Sequence, residues 1–145
     1  MSGKLHQGAQ CYGGYVDGRL VAFSAFVHFP HPKIKNLKMG HRLVVLPDWQ
    51  GLGIGGKFDD WLGEYLWHQG MRYHNVVAHP AMIAHYSASP RWAHLGTQRH
   101  KLVGRTSSVA PLRKHHADVS LKRIVSSFEY RSPKGGLAGE DFRFC

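Results

Sequence analysis

The sequence predicts an α+β domain organised around a mixed sheet. Three features point there: strand-like runs toward both ends, one amphipathic helical stretch near the middle, and a glycine-spaced segment linking a buried strand to that helix. Residues 10–16 and 19–29 read as strands joined by Asp17-Gly18, a dipeptide that supplies positive φ in a two-residue hairpin turn. Pro30 and Pro32 end the second run, because proline cannot donate to a ladder. Residues 33–38 form a basic loop carrying Lys33, Lys35 and Lys38. Residues 41–46 are apolar and β-branched enough for a buried central strand.

A helix opens at Gly55 or Gly56 and runs to Gln69, with Phe58, Leu62, Tyr65 and Leu66 on one apolar stripe. Asp59, Asp60 and Glu64 fall toward its first half, where the helix dipole favours acids. Gly70 is a fitting stop. Residues 73–78 read as another strand, and residues 80–88 as a short helix with Pro80 in its first turn. Residues 97–121 are basic and polar with weak strand signals, and residues 120–130 form the last strand. The order is β-β-β-α-β-α-(β)-β without an internal repeat. One domain covers residues 1–130, followed by a loose tail, rich in glycine and charge, over 131–145.

Composition narrows the function classes. At 145 residues with 43% apolar content, the chain can bury a modest core of its own. No apolar run reaches the roughly 20 residues needed to span a bilayer, and the first residues lack the apolar core of a signal peptide. The reading is cytoplasmic, with no membrane partner. Cys11 and Cys145 are too few and too far apart for a disulfide framework or a metal site, and the twelve histidines show no ligand spacing. No metal is expected. Nineteen Lys and Arg against nine Asp and Glu give a net charge of +10, which favours polyanions: nucleic acid or a phosphorylated cofactor. A basic surface serving solubility stays open as the bland alternative.

The chemistry concentrates in Leu43-Val44-Val45-Leu46-Pro47-Asp48-Trp49-Gln50-Gly51-Leu52-Gly53-Ile54-Gly55. A buried strand ends, a loop turns, and closely spaced glycines enter a helix. Glycines let backbone approach a ligand without Cβ atoms, and unpaired amides at the helix start face negative charge. The spacing G-x-G-x-G-G departs from the dinucleotide-binding G-x-G-x-x-G. Gly56-Lys57 is followed by Phe58 where a Walker loop needs Ser or Thr.

Gln50-Gly51-Leu52-Gly53-Ile54-Gly55 resembles motif A of the GNAT N-acetyltransferases, [Q/R]-x-x-G-x-[G/A], and the preceding strand ending in Val-Leu-Pro is similar to theirs. The resemblance covers residues 10–96. It implies a mostly antiparallel GNAT-like sheet with flanking helices, and an acyl-CoA, usually acetyl-CoA, attacked directly by an acceptor amine. By the same resemblance Gln50, Gly51, Leu52, Gly53, Ile54, Gly55 and Gly56 would cradle the pyrophosphate. Pantetheine would lie where strand 41–46 splays from strand 73–78, and an amide near Val44 or Val45 would polarise the thioester carbonyl. Tyr86 matches the family's acid imperfectly, because Ser-Pro-Arg-Trp replaces the usual Gly-Phe ending, so Ser87 or Ser89 could serve instead. Many relatives place a Glu on the strand before the cradle as base; here His41 is the available titratable group.

A narrower resemblance joins Arg42-Leu43-Val44-Val45-Leu46-Pro47-Asp48, Ser89-Pro90-Arg91-Trp92 and Ser127-Phe128-Glu129-Tyr130. These are similar to a branch containing Mom-like phage DNA-modification proteins and GNAT domains attached to ABC-type ATPases. That likeness implies an exocyclic amine of a DNA or RNA base as acceptor, with Trp49, Trp92 and Tyr86 available to stack it. One departure matters: the family's first strand and two helices, which wall the acceptor site, have no counterpart here. Either the acceptor site is open, or a second chain such as a homodimer partner completes it, or the sequence is a fragment. Three readings follow: acylation of a nucleic-acid amine, acylation of a small-molecule or protein amine, and a nucleic-acid-binding module on a degenerate acyltransferase scaffold.

Overall fold

A computed structural model of the chain describes residues 5–100 and 123–133. Among these residues are six strands and two α-helices: β1 Gln10–Val16, β2 Arg19–His28, β3 Leu37–Val45, α1 Ile54–His68, β4 Arg72–Val77, α2 Pro80–Ala88, β5 Trp92–His100 and β6 Arg123–Tyr130. The strands form one sheet in the order β1-β2-β3-β4-β6-β5. Every neighbouring pair is antiparallel except β3–β4, which is parallel. A parallel pair needs a crossover, and α1 supplies it.

The local chemistry of the ends was legible. Asp17 and Gly18 both take positive φ, 48° and 74°, so the hairpin turn between β1 and β2 forms as the dipeptide demands. Pro80 stands at the first turn of α2. β3, by contrast, begins at Leu37, four residues before the expected start. Leu37 is buried, and the ammonium of Lys38 lies 5.8 Å from the Phe26 ring centroid. A lysine stem can cover apolar surface while its charge stays wet, and that disguised a strand start as a basic loop.

β5 begins at Trp92, five residues before the expected weak-strand stretch, because His94, Leu95 and Gly96 break the alternation where the strand carries an irregularity opposite β6. Residues 101–122 and 134–145 lie outside the described residues. With them go most of the weak-strand stretch, the start of the expected last strand, Cys145 and nearly all of the tail.

The core lies between the sheet and the two helices. Phe26, Leu62, Leu66, Tyr73, Phe128 and Tyr130 form its centre, and Gly63 lets α1 sit directly on the Tyr130 ring. Among the described residues, no helix is long and apolar enough to cross a membrane.

Candidate functional site

β3 and β4 pair at Leu37↔Arg72, Lys38↔Tyr73 and Met39↔His74, and the pairing stops there. Beyond it a cleft of about 700 Å³ opens. Gly40 to Leu43 and Val45 line one wall, and Asn75 to His79 line the other. The glycine segment and α1 close one end, while Met82, His85 and Tyr86 of α2 form part of the lining.

Strand alternation decides which amides face this gap. The Leu46 N–H donates to the Val21 carbonyl at 2.9 Å, so Leu46 faces β2. The Val45 carbonyl points the other way and accepts Gln50 Nε2 at 2.8 Å. Successive residues present their polar groups to opposite edges, so the amides of Leu43 and Val45 face the gap and Val44 faces Phe23. The Val44 side chain is also 42% exposed. Of the two expected carbonyl-polarising positions, the structure places Val45 at the gap.

Gly51 and Gly53 take φ of 80° and 74°. A Cβ at either would meet nothing within 4 Å, so conformation rather than space calls for glycine. Gly53 is the N-cap of α1, without a side-chain cap. The Lys57 N–H makes the helix's first bond, 3.2 Å to the Gly53 carbonyl. The amides of Ile54, Gly55 and Gly56 therefore have no intrahelical acceptor and suit an anion. Gln50 braces the end of β3, and the Leu52 side chain, 64% exposed, stands outside the lining. Gly56 serves a second purpose: its missing Cβ would stand 2.6 Å from Nδ1 of His85, so α2 packs closely on α1 here.

A buried polar cluster forms the inner wall. Asp59 lines the cleft and accepts three bonds: from Tyr73 at 3.2 Å, from Asn75 Nδ2 at 2.9 Å, and from the Tyr86 hydroxyl. Asn75 Nδ2 also lies 3.1 Å from the Tyr86 oxygen, and its Oδ1 occupies the space a Cβ on Gly40 would need. Burial pushes the Asp59 carboxyl up to about 6, and its three hydrogen bonds only partly offset that rise. Burial first, and the Asp59 charge second, hold Tyr86 well above the usual phenol value, so it keeps its proton. Next to Asp59, Asp60 takes Trp92 Nε1 at 2.6 Å and pairs with His85 Nε2 at 3.0 Å. Adjacent acids on α1 thus meet adjacent rings on α2.

Of the four candidate catalytic residues, Tyr86 and His41 line the cleft. Ser87 is exposed, and Ser89 accepts the Arg91 N–H at 3.3 Å; neither is among the lining residues. Trp92 and Tyr86 are buried in the core and are not free to stack a base, whereas Trp49 does line the cleft. The acids of α1 also need correction. None stands in the first turn, and Asp59, Asp60 and Glu64 are all buried as hydrogen-bond acceptors. The missed signal was position: Asp59 precedes Leu62 and Leu66 by three and seven residues, inside the apolar stripe.

No protein-family model matches the sequence, and no curated protein matches it. Solved structures do match in shape. An IAA acetyltransferase from Bacillus cereus superposes with a TM-score of 0.59 at 13% identity, over 86% of this chain and 78% of its own. An acetyltransferase from Bacillus subtilis, solved in complex with CoA, gives 0.63 at 8% identity over 88% and 79%. A ribosomal-protein-alanine N-acetyltransferase from Brucella melitensis gives 0.61 at 15% identity over 86% and 69%. An acetyltransferase described as of the GNAT family, from Streptococcus pneumoniae, also matches, at a TM-score of 0.54. The fold is that of GNAT acetyltransferases. At these identities the likeness concerns the fold alone.

Proposed function

We propose that this chain is an acyl-CoA-dependent N-acyltransferase, moving an acetyl group from acetyl-CoA to an acceptor amine. The observation that carries the reading is the parting of β3 and β4 after Met39↔His74, which opens a cleft running to the uncapped, glycine-built start of α1. Such a cleft suits a long, thin thioester ending in a pyrophosphate. The amides of Ile54, Gly55 and Gly56 would hold the diphosphate, and the Val45 amide would face the thioester carbonyl. The bound thioester supplies an activated acyl carbon. The chain supplies orientation, a dry wall, and Tyr86 as a proton donor to the departing sulfur. Gly53→Asp puts a carboxylate against the pyrophosphate. Calorimetry should show acetyl-CoA affinity lost there and largely kept in Gly53→Ala, which carries the same backbone strain; unchanged affinity in Gly53→Asp ends the cradle assignment.

For the acceptor, charge favours a nucleic-acid amine, in line with the resemblance to the Mom-like branch. The +10 exceeds what a few cofactor phosphates use, and Lys33 and Lys35 are exposed between β2 and β3. Arg105, Arg113 and Lys114 lie outside the described residues and add to the same surplus. Each neutralised phosphate contributes about −0.9 to the log–log salt slope on duplex DNA. Several contacts predict a slope of about −3 or steeper, flattened by replacing Lys33 and Lys35 with Gln. Absence of binding to duplex and single strands at about 150 mM salt would point to a small-molecule or protein amine.

A further inference from the structure

Among the described residues lining the cleft, Asp59 alone carries a carboxylate. It is 2% exposed, and its hydrogen-bond partners Tyr73, Asn75 and Tyr86 are all neutral. A buried carboxylate without a cation is expensive, and replacing one with a well-packed apolar residue normally stabilises a fold. Three separate elements nevertheless converge on it: β4 sends Tyr73 and Asn75, α2 sends Tyr86, and β3 gives up a side chain at Gly40 to make room for Asn75. Tyr86 and Asp59 both line the cleft, so the bonded hydroxyl–carboxylate pair belongs to its wall.

We propose that Asp59 is the buried end of a two-residue proton path, Asp59–Tyr86, that takes the proton from the acceptor amine and returns it to the leaving sulfur. This rests on the acyltransferase reading. As the amine nitrogen bonds to the thioester carbon, its surplus proton passes to the Tyr86 oxygen while the Tyr86 proton passes to Asp59 Oδ2. When the C–S bond breaks, Tyr86 gives its proton to sulfur and Asp59 returns the borrowed one. The nitrogen has lost one proton, the sulfur has gained one, and the path is back where it began. Asn75, touching both oxygens, fixes their mutual geometry. Asp59 is thus a positioning residue and proton acceptor acting through Tyr86, and one path does the work of both base and acid. Its carboxyl, raised by burial to about 6, is ionised at neutral pH yet basic enough to hold a proton briefly.

Other groups facing this region bear on any pH profile. Asp60 stands beside Asp59 on α1, Tyr73 faces it from β4, and Ser24 of β2 bonds Tyr73. His41 and Arg42 of β3, with His79 and His85 around α2, line the same cleft.

The experiment compares the wild-type chain with Asp59→Asn, Tyr86→Phe and the double variant. Thiol release from acetyl-CoA is followed between about pH 5 and 9, with a single-stranded DNA oligonucleotide, an alanine-initiated peptide and spermidine as acceptors. Calorimetry of acetyl-CoA and thermal melts run beside it. The wild type should lose kcat as pH falls through about 6. Each single variant should lose roughly 10²–10⁴-fold in kcat with acetyl-CoA affinity intact. The double variant should be no slower than either single one, as expected of residues working as a unit.

A variant too unstable to assay leaves a second readout. Carboxyl-carbon NMR of the wild type should show one group titrating near 6, with a linked shift at the Tyr86 ring. Turnover of Asp59→Asn within about threefold of wild type, losses that multiply in the double variant, or a carboxyl titrating near 4 would each overturn the path while leaving the acyltransferase reading intact. Failure of the wild type to bind acetyl-CoA would take down both.

Discussion

Asp59 and Glu129 are both buried carboxylates, at 2% and 5% exposure, and they are treated in opposite ways. Glu129, on β6, accepts Arg72 Nε at 2.7 Å, with His74 at 3.5 Å and Arg131 at 3.9 Å. Burial alone would raise its pKa, but the Arg72 hydrogen bond and charge outweigh that and hold it below the usual carboxylate value. Asp59 receives only neutral donors, burial wins, and its carboxyl rises. The difference separates a carboxylate that locks strands together from one kept reactive beside a cleft. Hydrogen-bond donors can order an anion without neutralising it; only a cation does both.

Activity should divide the two most sharply. Glu129→Gln should leave acetyl transfer within about threefold of wild type, against the roughly 10²–10⁴-fold loss expected for Asp59→Asn. Matching losses in the two variants, measured as kcat at saturating acetyl-CoA, would dissolve the distinction.

Stability should divide them the other way. Arg72→Met leaves Glu129 buried with its principal cation removed. Arg72 is itself 38% exposed, so water screens part of the pair, and the expected destabilisation is about 2 kcal/mol by chemical denaturation. A loss below about 0.5 kcal/mol would make the bridge ornamental and Glu129 no reference for Asp59.

Sequence reading reached five of the six strands, both helices and the glycine-spaced entry into α1 because each rests on local rules. The Asp17-Gly18 turn, the Phe58–Leu62–Leu66 stripe and Pro80 all act within a few residues of themselves. Asp59 failed that test. Its role depends on Tyr73, Asn75 and Tyr86, which stand 14, 16 and 27 residues away along the chain. On a helix, an acid near the start satisfies the dipole rule equally well whether it faces water or the core. Trp92 misled for a related reason: its indole N–H is held by Asp60, 32 residues earlier, so a ring that reads as a stacking platform belongs to the core.

The smallest expected effect concerns pH, and here the two carboxylates must carry opposite signs. Glu129 has its folded pKa lowered from about 4.5, so it contributes stability above the unfolded value and loses it as pH falls through the folded one. Asp59 has its folded pKa raised from 3.8 to about 6, so the folded chain binds a proton more readily than the unfolded one. Its ionisation therefore opposes folding. The penalty is absent below about pH 4, grows through the window between 3.8 and about 6, and is complete above it. Asp59→Asn removes that penalty and leaves the remote titrating groups, His74 among them, untouched. The difference in unfolding free energy between Asp59→Asn and wild type should shift toward the variant by about 1 kcal/mol from pH 5 to pH 8. For Glu129→Gln the difference should stay flat across that range and change only in acid, where the wild type loses its advantage. Paired denaturant melts at the two pH values measure both. A shift toward wild type in the Asp59 pair would mean that its three neutral donors outweigh burial, and that the carboxylate is held as securely as Glu129.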